Sequence, residues 1–596
     1  MPSVSDEPTL WSEDVVAPEA KAKTPSGPKV EGRVVRVLPD EPAIAKEFDY
    51  LVPEKLGDQV RVGTRVRIPL AGRRVGGWVV AVDVSPPPGV TPRPLAKLSG
   101  LGPPPDLIDL ARWAAWRWSG RPASFLRTAS PDRNVPALPS APPRSAPPAG
   151  AAALPTGPRA VVRVPPAEDP YDMCLAAVGL GNGLIVCPNV ELARSVGMRL
   201  RRAGVPVAFH PRDWALGAAG ATVVGTRAAA WAPVADLAAV VVLDEHDEGH
   251  AQEQTPTWHA RDVVAERAAR AGVPCILVSP CPTLEALAWG PLTVPSRHDE
   301  RAGWPIVDVL DRRADDPRTG LIAPGLVTLL RSDRRVLCVL NRTGRARLLA
   351  CARCGELARC EACDAAVSQP DEGRLVCPRC GRERPMVCAE CGATKLKLVR
   401  QGVSRVREEL EALVGEPVGE ASTPSSEALE RRVVVGTEAV LHQAGRADVV
   451  AFLDLDQELL APRYRAAEQA LALLARAARL VGGKAGGGRL VLQTRLPKHE
   501  VIQAALHADP ARVATAEAER RELLRFPPAA ALAEVSGPTA EAFVQALGRP
   551  EGVEVLGPAD GRWLLRAPDH QTLCDALAAT PRPSGRLRLA VDPLRV

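Results

Sequence analysis

The sequence predicts a multidomain α/β protein with a β-rich N-terminal domain, two α/β lobes, a cysteine-rich module inserted in the second lobe, and a C-terminal split βαβ domain. Three observations carry this prediction. At 596 residues the chain has room for about four domains of roughly 150 residues each. Two consecutive sets of unbroken β-branched runs alternate with amphipathic helical stretches, the pattern of parallel sheets covered on both faces. Eight of the 14 cysteines fall in four CxxC pairs within 41 residues.

Composition narrows the class. Hydrophobic residues at 46% and charged residues at 24% are ordinary for a folded domain and exclude wholesale disorder or coiled coil. The longest apolar stretch, residues 228–243, is interrupted by Pro233 and Asp236, so no membrane span is expected. The opening MPSVSDEPTLWSED lacks the basic and apolar regions of a signal peptide, and a cytoplasmic protein is expected. Residues 33–128 hold 15 Lys/Arg against 9 Asp/Glu, and residues 342–407 hold 14 against 7. The net charge of +5 therefore resolves into two basic segments on an otherwise acidic chain, a distribution suited to phosphate backbones.

Along the chain, residues 1–32 are polar, without apolar period, and read as a disordered tail. Residues 33–128 open with VVRVL, RVRIPL and GGWVVAV, alternating runs bounded by Gly and Pro, and close with the helix DLIDLARWAAWRW. Residues 129–158 are a Pro/Ala-rich linker. The first lobe, residues 159–300, contains AVVRV, GLIVCP, PVAFH, TVVGT, AAVVVLDE and PCILVSP, with the helix VELARSVGMRLRRAG. The second lobe starts at 301–341 with the strand RRVLCVLN, is interrupted by the insertion at 342–402, and resumes over 403–496 with RRVVVGT, DVVAFLDLD, a long helix over 463–480 and RLVLQT. Residues 497–596 read β-α-β-β-α-β.

The cysteine pairs are Cys351/Cys354, Cys360/Cys363, Cys377/Cys380 and Cys388/Cys391. Each can present two thiolates from one tight turn, and two pairs complete a tetrahedral shell, so two zinc ions per chain are expected. A reducing compartment disfavours disulfides, and the spacing is not that of iron–sulfur proteins. Sequential, nested and crossed pairings all close. The nested one is preferred, with 351/354 joining 388/391 around an inner 360/363 and 377/380 site. Such saturated sites are structural, each worth about 10–16 kcal/mol of apparent binding free energy. The other six cysteines lie on apolar runs and read as core.

Ordered motifs point further. They are Phe48-Asp49-Tyr50-Leu51-Val52-Pro53, Arg65-Val66-Arg67-Ile68-Pro69-Leu70-Ala71-Gly72, Gly225-Thr226-Arg227, His259-Ala260-Arg261-Asp262 and Leu340-Asn341-Arg342-Thr343-Gly344. Glu519-Arg520-Arg521 with Pro527-Pro528, Val555-Leu556-Gly557-Pro558 and Val591-Asp592-Pro593 follow. Together with the four CxxC pairs they resemble the PriA (primosomal protein N′) family of replication-restart helicases, in its actinobacterial type. The resemblance implies RecA-like lobes around the zinc module. It also implies an N-terminal domain that receives the 3′-terminal nucleotide of an arrested strand at Phe48, Asp49, Tyr50 and Gly72. Aromatic stacking, a carboxylate acceptor and close backbone approach at glycine suit that role. Arg61, Arg65, Arg67, Arg73 and Arg74 would track phosphates beside it. The strand period gives a second reading, in which Phe48 and Tyr50 share one face and pack the core. The family's winged-helix domain has no counterpart; the linker stands in its position.

The departures concern the motor. A nucleotide cradle requires G-x-x-x-x-G-K-[ST], yet the one Gly-Lys dipeptide, Gly483-Lys484, precedes Ala485 and lies far from the family's position. At that position, residues 164–177 read VPPAEDPYDMCLAA, where prolines remove N–H donors and acids repel phosphate. Asp244 and Glu245 remain of the strand-end acidic motif, and Arg476 and Arg479 remain of the paired arginine fingers, with Ala475 and Ala478 in place of the glycines. These four residues form a degenerate nucleotide site, and the arginines, i and i+3 on an Ala/Arg-rich helix, read as a solvated stripe. The expected function is replication restart at stalled or branched forks, promoting primosome assembly and loading of the replicative helicase without helicase activity of its own. Partners are forked DNA, primosome components, the replicative helicase and, as a further candidate, single-stranded-DNA-binding protein, at the nucleoid and not at a membrane. Two alternatives are an ATP-dependent 3′→5′ helicase (an ATP hydrolase) with a non-standard nucleotide site, and a zinc-ribbon adaptor in RNA metabolism or transcription.

Overall fold

Alternation builds the N-terminal domain. In β1 (Val34–Pro39) Val35 and Val37 point to one side and Arg36 and Leu38 to the other. In the computed structural model this strand lies inside a six-stranded sheet, in which β2 (Phe48–Leu51), β3 (Arg65–Leu70), β4 (Arg73–Val82), β5 (Arg93–Pro94) and β6 (Lys97–Gly100) are ordered β5-β2-β1-β4-β3-β6. The structure describes residues 32–595 apart from 42–43, 45, 144–152, 316–319, 341–348, 371–372, 399–402 and 422–425. The N-terminal tail up to residue 31, residues 144–152 of the linker and the Asn341–Gly344 part of its motif therefore lie outside the described residues. A two-residue turn, Ala71-Gly72, joins β3 to β4 with φ +46° and +78°, the left-handed pair that suits the right-handed twist of a hairpin. The sheet curls: Val35, Val37, Tyr50, Val66, Ile68 and Val79 share one inner core, and the Tyr50 hydroxyl donates to Pro69 O at 3.0 Å.

The outer face of this sheet is covered by helices α1 (Pro105–Arg117) and α2 (Pro122–Ala129). Sequence patterning expects the first and not the second, which is only eight residues long and starts at a proline. Leu38, Trp78 and Val80 join these helices in a core that continues into the first lobe and the C-terminal domain. A relay of rings marks the path: Trp118 to Phe125 at 6.4 Å, Phe125 to Trp231 at 5.2 Å, and Trp231 to Trp258 at 5.8 Å between centroids.

The first lobe is an all-parallel sheet in the order Leu292–Thr293, Arg159–Arg163, Cys275–Ser279, Leu237–Leu243, Asn182–Val186, Thr222–Gly225, Val207–Phe209. Helix α3 (Tyr171–Gly179) follows its first strand, and α4 (Ala260–Ala271) carries the His-Ala-Arg-Asp motif at its start. The second lobe is parallel as well, ordered Ile306–Asp311, Arg489–Thr494, Val449–Phe452, Val336–Val339, Val433–Gly436, Gly419–Glu420. Its edge strand Ile306–Asp311 precedes the one expected to be first, so the cysteine module follows the second strand. The acids alternating through IVDVLD conceal that edge strand from an apolar-run search.

Helix α5 (Ala466–Val481) packs on this sheet through Ala467, Ala470, Ala475, Ala477 and Ala478, whose small side chains allow close approach. Residues 500–524, ahead of the terminal sheet, add their Val501, Ile502 and Val513 to the same second-lobe core. The final domain is antiparallel, ordered Glu554–Ala559, Arg562–Ala567, Ala531–Ser536, Arg588–Val591, with a helix after its first and third strands in sequence. Among the described residues no helix is long and apolar enough to cross a membrane. Because one core spans three domains, Phe125→Ala should cost about 3–5 kcal/mol and lower the melting of the N-terminal domain and first lobe together. Differential scanning calorimetry with domain-specific probes reads whether the two transitions move as one.

Candidate DNA interface, metal centres and inter-lobe seam

Each CxxC pair is a hydrogen-bonded turn of one design. In the first, Gly355 N donates to Cys351 O at 3.0 Å and Cys351 N to Glu356 O at 2.8 Å. The same two bonds recur with Asp364, Gly381 and Gly392 after the second cysteine of the other pairs. All four of these following residues have positive φ, between +57° and +74°, which glycine adopts freely and aspartate tolerates. The sulfurs form two groups, Cys351, Cys354, Cys388 and Cys391, and Cys360, Cys363, Cys377 and Cys380, each with every sulfur within 4.8 Å of the rest. The nested arrangement is thus the one the fold brings together. Contacts of 3.5–3.6 Å between opposing pairs compare with the edge of about 3.8 Å implied by tetrahedral Zn–S bonds near 2.3 Å. The donor set fits a soft divalent cation held by four thiolates. The inner site is docked on the second lobe, where Ala366 N donates to Leu460 O at 2.8 Å and Arg379 donates to Tyr464 O at 3.2 Å.

The seam between the lobes is built on the end of strand Leu237–Leu243. Asp244, at φ +50° and 7% exposed, receives both Nη atoms of Arg479 from α5, at 2.6 and 2.7 Å. Burial alone would raise this carboxyl; the Arg479 charge and hydrogen bonds overcome that and hold it at about 2. Arg476, one turn earlier, donates to Asp247 and lies against His442. The two arginines are therefore not a solvated stripe: each ends on a carboxylate of the opposite lobe. Glu245 is fully buried and accepts from Arg261 Nη1 at 2.6 Å and Thr283 Oγ1 at 2.6 Å. Glu285 pairs with Arg465 and Arg521, Glu468 accepts from Leu284 N at 2.9 Å, and Gln469 donates to Glu248.

Beside the seam, the loop before α3 uses its own amides. Val164 N donates to Ser279 O, Ala167 N to Gly303 O, Glu168 N to Pro165 O and Tyr171 N to the Asp169 carboxylate, while Pro165, Pro166 and Pro170 have no N–H. Arg479 Nε also donates to Pro166 O at 3.3 Å, so the guanidinium bridges the loop and Asp244. These residues do not fit a triphosphate, which needs several free amides converging with a lysine.

In the N-terminal domain the four predicted end-pocket residues diverge. Tyr50 is 4% exposed in the inner core and Phe48 is half-buried against it, whereas Asp49 points to the opposite face. Tyr50 is thus a structural residue with its hydroxyl already engaged, and it cannot stack on a base. Gly72 is exposed at the β3–β4 turn with open space around it. Of the arginine track, Arg65 is tied to Pro131 O at 2.8 Å. Arg61, Arg67, Arg73 and Arg74 are exposed, and Arg67 lies across from Lys97 of β6. Among the described residues Arg67, Arg73, Arg74 and Lys97 form no ion pair. Sequence reasoning passed over Arg36, which holds Asp49, and Arg261, Thr283, Glu285, Arg465 and Arg521 at the seam. Arg261 and Arg521 sit within quoted motifs, the one available signal.

The fold and site define a protein of two parallel α/β lobes with an insertion carrying two four-cysteine groups that could hold metal ions, and a β-rich N-terminal domain. The family model described as the 3′DNA-binding domain (3′BD) of PriA matches residues 36–131. The protein named probable replication restart protein PriA from Mycobacterium leprae (strain TN) is 30% identical over 590 residues, covering 87% of this chain and 90% of the relative. The Mycobacterium tuberculosis (strain ATCC 25618 / H37Rv) relative is 29% identical over 603 residues with the same coverage. The Bacillus subtilis (strain 168) replication restart protein PriA is 28% identical over 323 residues, 47% of this chain and 39% of that protein. The chain belongs to the PriA family of replication restart proteins.

Two outcomes follow. Metal analysis of the purified chain should give two bound ions; Cys363→Ser should lower that to one and loosen residues 349–398 to proteolysis while the lobes stay protected. The Asp244 carboxyl is held below its ordinary value of about 3.9, so its contribution to stability is present above that value and lost as pH falls through about 2. Asp244→Asn should therefore be less stable than the parent at pH 7, with the difference vanishing between about pH 4 and pH 2 in denaturant titrations.

Proposed function

We propose that this chain restarts replication by binding forked DNA at an arrested nascent 3′ end and recruiting primosome components that load the replicative helicase, without unwinding DNA itself. It works at the nucleoid, in the cytoplasm, with two zinc ions holding the cysteine module. Single-stranded-DNA-binding protein is a further partner. The match of residues 36–131 to the 3′DNA-binding domain supports end recognition, and Phe48, Asp49 and Gly72 remain its proposed contacts, with Tyr50 as their support. The exposed cations Arg67, Arg73, Arg74 and Lys97 supply the phosphate track. Four such contacts correspond to a slope of about −3.6 in log affinity against log salt.

The observation that carries the non-motor half is the two-pronged grip of Arg479 on Asp244. A motor must free that carboxylate for magnesium and open the cleft at every turnover. Here the cation already on the carboxylate is a side chain of the other lobe, and Arg479 on Asp244 with Arg476 on Asp247 act as a structural clasp, Glu245 being buried behind it. The scaffold then holds the N-terminal domain, zinc module and terminal domain at fixed positions for a fork and its partners.

The test is ATP hydrolysis by the metal-loaded chain with and without forked DNA. No DNA-stimulated turnover is expected, alongside fork binding that prefers an abutting 3′ end and weakens steeply with salt. A DNA-stimulated turnover abolished by Asp244→Ala overturns the adaptor reading, and equal affinity for forks and plain duplex overturns end recognition.

A further inference from the structure

Between the N-terminal domain and the first lobe lies a cavity of about 680 Å³ that shares no residue with the seam. Val62 and Leu110 line it from the N-terminal side, and Trp214, Val234 and Leu237 from the first lobe, so its walls are mostly apolar. The volume falls in the range of about 300–1,000 Å³ typical of small-molecule sites, which join apolar walls to a few placed polar groups. Among the lining residues is Arg267 of α4, only 4% exposed. Its Nη1 donates to Ala232 O at 2.6 Å and to Ala230 O at 3.3 Å. Its Nε and Nη2 have no hydrogen-bond partner among the described residues.

Those two nitrogens are the side-on edge of the guanidinium, whose parallel N–H bonds match both oxygens of one carboxylate. Buried donors are satisfied as a rule, and buried charges are paired. Here the Asp106 carboxylate stands 3.9 Å from Nη2, beyond hydrogen-bond reach, with its side chain 60% exposed. Asp236, the other acid of the wall, is exposed as well. Of the remaining cations in the wall, Arg61 is exposed and Arg270 is already paired with Glu266 at 2.7 Å. Burial accordingly pulls Arg267 down to about 10, and Asp106 offsets only part of that. The cavity thus holds one under-neutralised cation among apolar side chains. A doubly charged phosphate would find too little positive charge there to offset its desolvation, whereas a monocarboxylate brings two oxygens and a single charge.

We propose that this cavity binds a small monocarboxylic acid with an apolar body, its carboxylate joined to Arg267 by two parallel hydrogen bonds and its body held between the N-terminal domain and the first lobe. The test uses the full metal-loaded chain and three probes of one length, octanoate, 1-octanol and octylammonium, by isothermal titration calorimetry at neutral pH, with thermal melting as a second readout. Octanoate should bind one site per chain and raise the melting temperature. Octanol should bind about tenfold more weakly or worse, and octylammonium not measurably. Arg267→Gln should bring octanoate down to the level of octanol, and Arg267→Lys, which keeps the charge without the paired edge, should lie between. Val62→Trp fills the cavity from the N-terminal wall and leaves Arg267 in place; it should abolish octanoate binding, so the proposal does not hang on the folding of the Arg267 variants. Octanol binding as tightly as octanoate overturns the proposal, as does octanoate binding unchanged in Arg267→Gln or in Val62→Trp, or the lack of a single saturable site. No outcome depends on fork binding, so the end-recognition reading stands or falls separately.

Discussion

Arg479 of α5 reaches across from the second lobe and closes both of its Nη groups on Asp244, at the tip of a central strand of the first. The contact sets the relative position of everything else. It brings Arg476 onto Asp247, places α5 where Glu468 can cap Leu284, and sets Arg465 beside Glu285. Removing one member of such a pair leaves an uncompensated charge at the seam, which costs far more than the pair itself contributes. The clasp therefore works less as a source of stability than as a constraint that makes other arrangements of the lobes unfavourable.

The seam also connects to the other parts of the chain. Glu245, Arg261 and Thr283 lie directly behind Asp244 and connect through the helix start at Leu284 to Glu285, Arg521 and Glu517. Glu517 in turn faces Arg379, whose backbone belongs to the Cys377/Cys380 turn. Two groups of ion pairs, joined through the helix start at Thr283–Glu285, thus lie between the strand end of the first lobe and the inner cysteine site. On the other side the aromatic relay from Trp118 to Trp258 fastens the N-terminal domain to the same lobe. The N-terminal domain and the cysteine module are thus both joined to the first-lobe frame.

What could be read from sequence follows the range of the interactions. The two four-cysteine groups were legible because each pair and its left-handed following residue lie within five positions, and parallel strands because burial on both faces leaves unbroken Val/Ile/Leu runs. The edge strand Ile306–Asp311 escaped because its alternating acids imitate a surface, and α2 because eight residues hardly establish a period. The clasp was out of reach: Arg479 and Asp244 are 235 positions apart, and an arginine on an alanine-rich helix looks the same whether it meets water or a carboxylate. Tyr50 is different. Its strand period already placed it with Phe48 on the core face, and the family likeness outweighed a local signal that the fold followed.

The claim at the centre of this account is that the lobes stay clasped instead of cycling with nucleotide. Spin-label distances between the first and second lobes, measured with magnesium and ATP in the presence of forked DNA, test it most directly. The account predicts one narrow distance distribution, unchanged by nucleotide and broadened by Arg479→Gln. A distribution that shifts on adding ATP, and no longer shifts in Asp244→Asn, would contradict it.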